Sequence, residues 1–250
     1  SGCFHIYKIN QTRGKEMILS KVVASARATG STGVARRFFG AKGSRGWDWY
    51  YNYKEKAAEG PVEATPFPDS VAGAARKKAF LDIKIADEDK GRIVIELADD
   101  LVPRASQNFL DLCQGVAVEG ADGAKADLTY KGTKFHTNRK GYIIQGGDVD
   151  GRGGRCAPQH ATDISGYFFQ DENVNISHSV PGIVSMATPG AHTNGSQFFI
   201  TMTGATHLDT KHQVVGRVVE GMDVVKVMNE VFSVRGKPLS DIVIADAGEV

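Results

Sequence analysis

Residues 185–200 read Ser-Met-Ala-Thr-Pro-Gly-Ala-His-Thr-Asn-Gly-Ser-Gln-Phe-Phe-Ile, and the two halves of this run differ physically. Residues 190–196 are turn formers, whereas residues 196–202 make a strand of large side chains with one amide, Gln197, among them. A stiff aromatic wall beside a single glutamine can hold an apolar ring while hydrogen-bonding an adjacent peptide group. Other constellations point less clearly to chemistry. Residues 146–154 are as glycine-rich as a phosphate cradle but lack the Lys-Ser/Thr of a P-loop and the dinucleotide spacing, so they read as a structural turn. Asp171 and Glu172 read as loop-capping groups rather than an acid–base pair. His207 and His212 lie five apart in a segment broken by Asp209 and Thr210, so no metal site is expected. Asn194-Gly-Ser matches a glycosylation sequon but falls inside the opening run.

These residues need a scaffold, and from about Lys78 the pattern becomes regular. Residues 80–86 and 91–97 alternate apolar and polar around the break at 87–91, which predicts a hairpin. Pro103 opens a helix in which Ala105, Phe109, Leu110, Leu112 and Cys113 share a face, closed by Gly115. Residues 116–131 read as a solvated surface loop. Short strands are expected near 133–136, 141–147, 182–187, 196–203 and 213–219. A second helix is expected at 222–231 with Met222, Val225, Val227, Met228 and Val231 inward, and a last strand begins at Asp241. Many short strands with only two helices argue for a barrel with helices over its ends, although pattern alone leaves a sandwich open.

Composition sets the outer limits. Hydrophobic residues at 41% and charged residues at 24% are ordinary for a globular chain of 250 residues. The net charge of +1 hides a split: residues 1–46 carry nine Lys and Arg against Glu16 alone, and the remainder carries an excess of acids. Cys3, Cys113 and Cys156 show no paired framework, which favours a reducing compartment. No stretch is apolar for the roughly 18 residues that a membrane span needs, and no nucleic-acid partner is expected. From Met17, read as an initiator, the basic, Ser- and Thr-rich arm has the composition of a mitochondrial targeting segment. An unstructured basic tail on a cytoplasmic protein is the alternative reading. Residues 47–53 gather both tryptophans and three tyrosines, suited either to an interface or to packing on the chain's own domain. With residues 54–77, rich in Ala and Pro, they form a segment 47–77 read as aromatic cluster and linker before a domain at 78–250.

Six ordered motifs carry a resemblance. They are Tyr130-Lys-Gly-Thr-Lys-Phe-His136, Gly141-Tyr-Ile-Ile-Gln-Gly-Gly-Asp148, Phe169-Gln-Asp-Glu-Asn173, Pro181-Gly-Ile-Val-Ser-Met-Ala187, the opening run, and Leu208-Asp-Thr-Lys-His-Gln-Val-Val-Gly216. Together they make residues 78–250 resemble the cyclophilin family of peptidyl-prolyl cis-trans isomerases. The resemblance implies a mainly β fold, a closed eight-stranded antiparallel β-barrel capped by two α-helices, here with an irregular N-terminal extension. It implies binding of proline-containing peptides and clients and no cofactor. By motif, Tyr142, Ile143, Phe199 and Leu208 would form the apolar pocket with His212 at its side. Gln145 and Gln197 would hydrogen-bond the peptide beside Ala187 and Thr188. His207 stands where many relatives have Trp, so cyclosporin binding is expected to be possible but reduced.

One position departs from the family. Cyclophilins place an Arg after the histidine of the first motif, and its guanidinium polarises the prolyl nitrogen; here the residue is Thr137. A neutral, short hydroxyl cannot replace a charged fork. The expectation is a domain that binds X-Pro peptides with much weakened catalysis. A rescue by Arg139, on the same strand face as Thr137, stays open. The alternative is a degenerate cyclophilin serving as an interaction subunit of a large mitochondrial complex through residues 1–75.

Overall fold

The computed structural model describes residues 64–70, 75–119, 125–163 and 166–250. The basic arm at 1–46 and the aromatic cluster at 47–53 lie outside the described residues. Strands β1 (Lys78–Ile85) and β2 (Glu88–Leu97) form the expected hairpin. Its turn is shorter than the polar break suggested, because Glu88, Asp89 and Gly91 pair with Ile85, Lys84 and Ile83. Only Ala86 and Asp87 remain in the turn, both at positive φ, the geometry that matches strand twist in a two-residue hairpin.

Helix α1 (Pro103–Gln114) follows, with Ala105, Phe109, Leu110, Leu112 and Cys113 buried as the spacing predicts. Its first turn is capped from a distance. Glu172 accepts from the Arg104 and Ala105 amides at 3.0 and 2.9 Å, so a carboxylate meets the positive end of the helix dipole. Residues 116–119 and 125–131 are not part of the solvated loop expected at 116–131. β3 (Val116–Glu119) and β4 (Lys125–Leu128) pair as a hairpin, with Val116, Leu128 and Tyr130 buried. The polar centre of that stretch concealed apolar ends that return to the core.

The remaining strands are β5 (Thr137–Arg139), β6 (Ile143–Gly146), β7 (Ile183–Met186), β8 (Phe198–Thr201), β9 (Val214–Glu220), the small hairpin β10 (Ser233–Val234) and β11 (Lys237–Pro238), and β12 (Ile242–Glu249). Eight of them form one antiparallel sheet in the order β12-β1-β2-β9-β7-β8-β6-β5. The sheet curls until its edges approach. The seam between β5 and β12 is bridged not by a paired strand but by residues 132–135, whose Gly132 and Phe135 amides donate to Ile244 and Ile242 carbonyls at 2.7 and 2.9 Å. The strand expected at 133–136 is therefore a bridge at Lys134, and regular pairing starts at Thr137. α1 lies over one part of the sheet and α2 (Met222–Glu230) over another. Val224, Val225 and Met228 face in from α2, whereas Val227, expected inward, is 48% exposed.

Inside the curl, Phe109, Tyr130 and Phe198 form a triangle with centroids 5.1–5.2 Å apart, and Phe135 meets Phe198 at 5.8 Å. Their edge-to-face and tilted packing is the favoured aromatic arrangement. Tyr130 donates its hydroxyl to the Ser196 carbonyl at 2.7 Å, pinning the entry of β8 to the core. Part of the stretch read as linker packs on this body: Thr65 bridges to Ile176, and the Phe67 ring lies 5.0 Å from the guanidiniums of both Arg76 and Arg217.

The β5 edge is held by two buried asparagines. Asn138 donates to the Val231 carbonyl at 2.9 Å and accepts from the Asn229 amide at 2.6 Å, while Asn229 accepts from the Gly141 N–H at 2.7 Å. Asn138→Ala and Asn229→Ala are each expected to destabilise the domain by about 1–3 kcal/mol in urea unfolding, since each strands buried partners. The double variant is expected to lose less than their sum, because both substitutions remove the bond the two side chains share. Strict additivity would show that the two act separately.

Candidate active site

Strand alternation decides which side chains leave the core. On β6, Ile144 is fully buried within the barrel, so its neighbours Ile143 and Gln145 face the other way. On β8, Phe198 enters the aromatic core, and Phe199 and Gln197 project to the opposite side. The two strands pair with Gln145 opposite Phe199. The result is a cleft of about 400 Å³ with an apolar end formed by Ile143, Phe199 and Leu208 and a polar wall of Gln145, Gln197 and His212. Ala187, Thr188 and Pro189, leaving β7, line one side of it. Such a volume suits a small ring with flanking peptide.

The polar wall is organised before any ligand arrives. Gln145 donates its side-chain amide to the Gln197 oxygen at 2.7 Å, which fixes both amides and leaves the second Gln145 N–H and the Gln145 oxygen for another partner. His212 stands edge-on to Phe199, centroids 5.5 Å apart, with its Nδ1 3.5 Å from the Thr188 hydroxyl. Burial pushes the His212 imidazole below its ordinary value, so it is neutral near pH 7.

Beneath the cleft lies a relay that the sequence reading missed. His178 stacks on Phe199 at 6.0 Å and shares hydrogen bonds with Asp209 at 2.9 Å and Ser185 at 3.0 Å. Asp209 also accepts from the His178 amide at 2.7 Å and the Ser177 hydroxyl at 2.9 Å. These bonds anchor the loop just after the 3-10 turn Thr206–Leu208, which carries Leu208 into the cleft. The Ser-His-Asp composition is not a nucleophilic centre: Ser185 and His178 are fully buried, and the serine hydroxyl lies between the His178 Nε2 and the Gln213 carbonyl, at 3.0 and 2.9 Å. Its work is to hold Phe199 and Leu208.

Of the residues singled out from sequence, Ile143, Gln145, Ala187, Thr188, Gln197, Phe199, Leu208 and His212 meet around this cleft. Tyr142 and His207 do not reach its lining. They stack on each other at 5.4 Å and share a 2.6 Å hydrogen bond, a partnership that takes the tyrosine hydroxyl out of the wall. Thr137 sits opposite Gln145 in register but is too short to line the cleft, and Arg139, opposite Ile143, is exposed and also outside it. The lining further includes Phe168, Thr193 and the segment 152–155, which the sequence reading passed over.

Residues 146–154 form a structural turn. Asp148 accepts from the Gly153 and Gly154 amides at 3.2 and 2.9 Å, and Asp150 from the Arg152 and Gly154 amides at 3.0 and 3.1 Å. Gly154 has φ of +66°, and a Cβ there would come within 2.4 Å of the Gln197 side chain, so only glycine lets this turn rest on the cleft wall. Asp171 ties the neighbouring loop by accepting from the His192 amide and the Asn194 side chain at 2.8 and 2.7 Å.

An eight-stranded curled antiparallel sheet, two helices and a cleft built on a Gln-Phe-Phe strand agree with the sequence resemblance. The family model for cyclophilin type peptidyl-prolyl cis-trans isomerase/CLD matches residues 80–249. The chain belongs to this family. Cyclophilins bind proline-containing peptides. Among the described residues no helix is long and apolar enough to cross a membrane.

The buried His178 and the half-buried His212 give the domain a pH signature. Burial lowers both His178 and His212 from the ordinary 6.5. Stability that rests on neutral imidazoles is fully present above about pH 6.5 and is lost as pH falls through the depressed folded values. Urea midpoints are expected to fall between about pH 7.5 and 5.5, and His212→Gln to flatten that fall. A midpoint that rises on acidification would contradict the neutral assignment.

Proposed function

We propose that this cyclophilin domain binds X-Pro peptides in the cleft and isomerises them slowly. One observation carries the reading: the apolar end and its glutamine pair are in place, while Thr137 supplies no cation where the family's catalytic Arg belongs. Rotation about an X-Pro bond faces a barrier of roughly 18–20 kcal/mol, because the nitrogen lone pair is delocalised into the carbonyl. A donor aimed at the prolyl nitrogen localises that pair and so stabilises the twisted state more than either planar one. In this reading Ile143, Phe199 and Leu208 hold the proline ring, and Gln145, Gln197 and the backbone near Ala187 and Thr188 hold the flanking peptide. No side chain at Thr137 or Arg139 completes the constellation. The same cleft would accept cyclosporin weakly, since His207 is committed to Tyr142.

A second reading is favoured by Thr137 together with the strongly basic residues 1–46: an interaction subunit of a mitochondrial assembly, in which peptide binding outlasts catalysis. Migration of the endogenous protein on a native gel separates the two. A single small species supports a free, slow isomerase, and exclusive migration with a large mitochondrial complex supports the subunit.

Thr137→Arg is expected to raise the rate of isomerisation of an Ala-Pro peptide by about a hundred- to a thousandfold, the usual worth of one oriented transition-state donor. Phe199→Ala is expected to weaken peptide binding about tenfold. A native rate already equal to that of the Thr137→Arg variant would overturn the reading of slow turnover.

A further inference from the structure

Beyond Gln197 the cleft runs on to Arg152, Gly153, Gly154 and Arg155, with Phe168 and Thr193 alongside. Resting on the proline-peptide reading above, we infer that this end of the cleft selects peptides with an acidic side chain close to the proline. Both arginines are exposed, and among the described residues neither guanidinium has a hydrogen bond or an ion pair. Among the described residues no carboxylate lines the cleft. The two acids of the same turn are occupied elsewhere: Asp148 and Asp150 accept the amides of residues 152–154.

The turn places these cations deliberately. The Ser196 amide donates to the Gly154 carbonyl at 3.0 Å, and a Cβ on Gly195 would lie 2.1 Å from that same oxygen. Glycine at both positions lets the turn dock on the root of β8, directly beside Gln197. Arg152 and Arg155 therefore line the same cleft from a turn docked against the residue proposed to hold the peptide backbone. A proline ring at the apolar end thus leaves neighbouring residues of the peptide along the arginines. Two guanidinium forks with free donors match a carboxylate in geometry as well as charge. A lysine there would meet like charge, which adds discrimination.

The test is a titration of the full chain with short peptides containing one Ala-Pro, in which each of the three positions on either side carries Glu, Gln or Lys in turn. At one or more positions Glu is expected to bind about three- to tenfold tighter than Gln at low salt, with Lys weakest. That preference is expected to shrink at about 0.5 M salt, because the contacts are near the surface. In the double variant Arg152→Gln, Arg155→Gln the Glu and Gln peptides are expected to bind alike. Equal binding of Glu and Gln peptides to the native chain at every position overturns the acid preference and leaves the proline reading standing. A preference for Glu that survives the double variant also overturns it. Binding of no Ala-Pro peptide overturns both.

Discussion

The site depends on two consecutive phenylalanines going opposite ways. Phe198 enters an aromatic core with Phe109, Tyr130 and Phe135, and Phe199 is thereby forced outward to floor the cleft. A slip of one residue would reverse the pair and empty both the core and the site. The Tyr130 hydroxyl on the Ser196 carbonyl holds that register from below, and the Gly154 carbonyl on the Ser196 amide holds it from the side. The same alternation on β6 puts Ile144 in the core and Gln145 beside Phe199. The cleft is a consequence of core packing rather than an addition to it.

Placing a ring and polarising a bond are separable tasks in this scaffold. The first relies on apolar area and on fixed amides, and the cleft has Ile143, Phe199 and Leu208 beside the bonded Gln145–Gln197 pair. The second relies on one cation at one strand position, which the chain fills with Thr137. The buried Asn138–Asn229 network anchors β5 with Arg139 opposite Ile143 and outside the cleft lining. In the reading we propose, the fold keeps the binding half of the chemistry and lacks its strongest electrostatic contribution.

Much of this was legible because the informative signals were local. Period-two alternation gave β1 and β2, a run of large side chains gave the Gln-Phe-Phe strand, and Pro103 with Gly115 marked α1. Eight of the eleven residues named from motifs meet at the cleft. What stayed hidden depended on distant partners. Tyr142 and His207 are 65 residues apart, and nothing in either segment announces that they stack. Leu128 and Val116 sit at the ends of a polar stretch whose composition argued for solvent. Val227 fits the apolar face of α2 by spacing, yet the curled sheet below covers less of the helix than its pattern allows. Arg152 and Arg155 looked like ordinary turn residues until the turn was seen docked against Gln197.

The most direct test of the account reads occupancy and turnover in one sample. Exchange NMR of an Ala-Pro peptide with the native domain reports both the amides perturbed by the peptide and the cis–trans exchange it undergoes when bound. The account expects perturbation at Gln145, Gln197, Phe199 and His212 together with exchange about a hundred- to a thousandfold slower than in the Thr137→Arg variant. Rapid exchange on the native domain, or a peptide that leaves those four residues undisturbed, would contradict it.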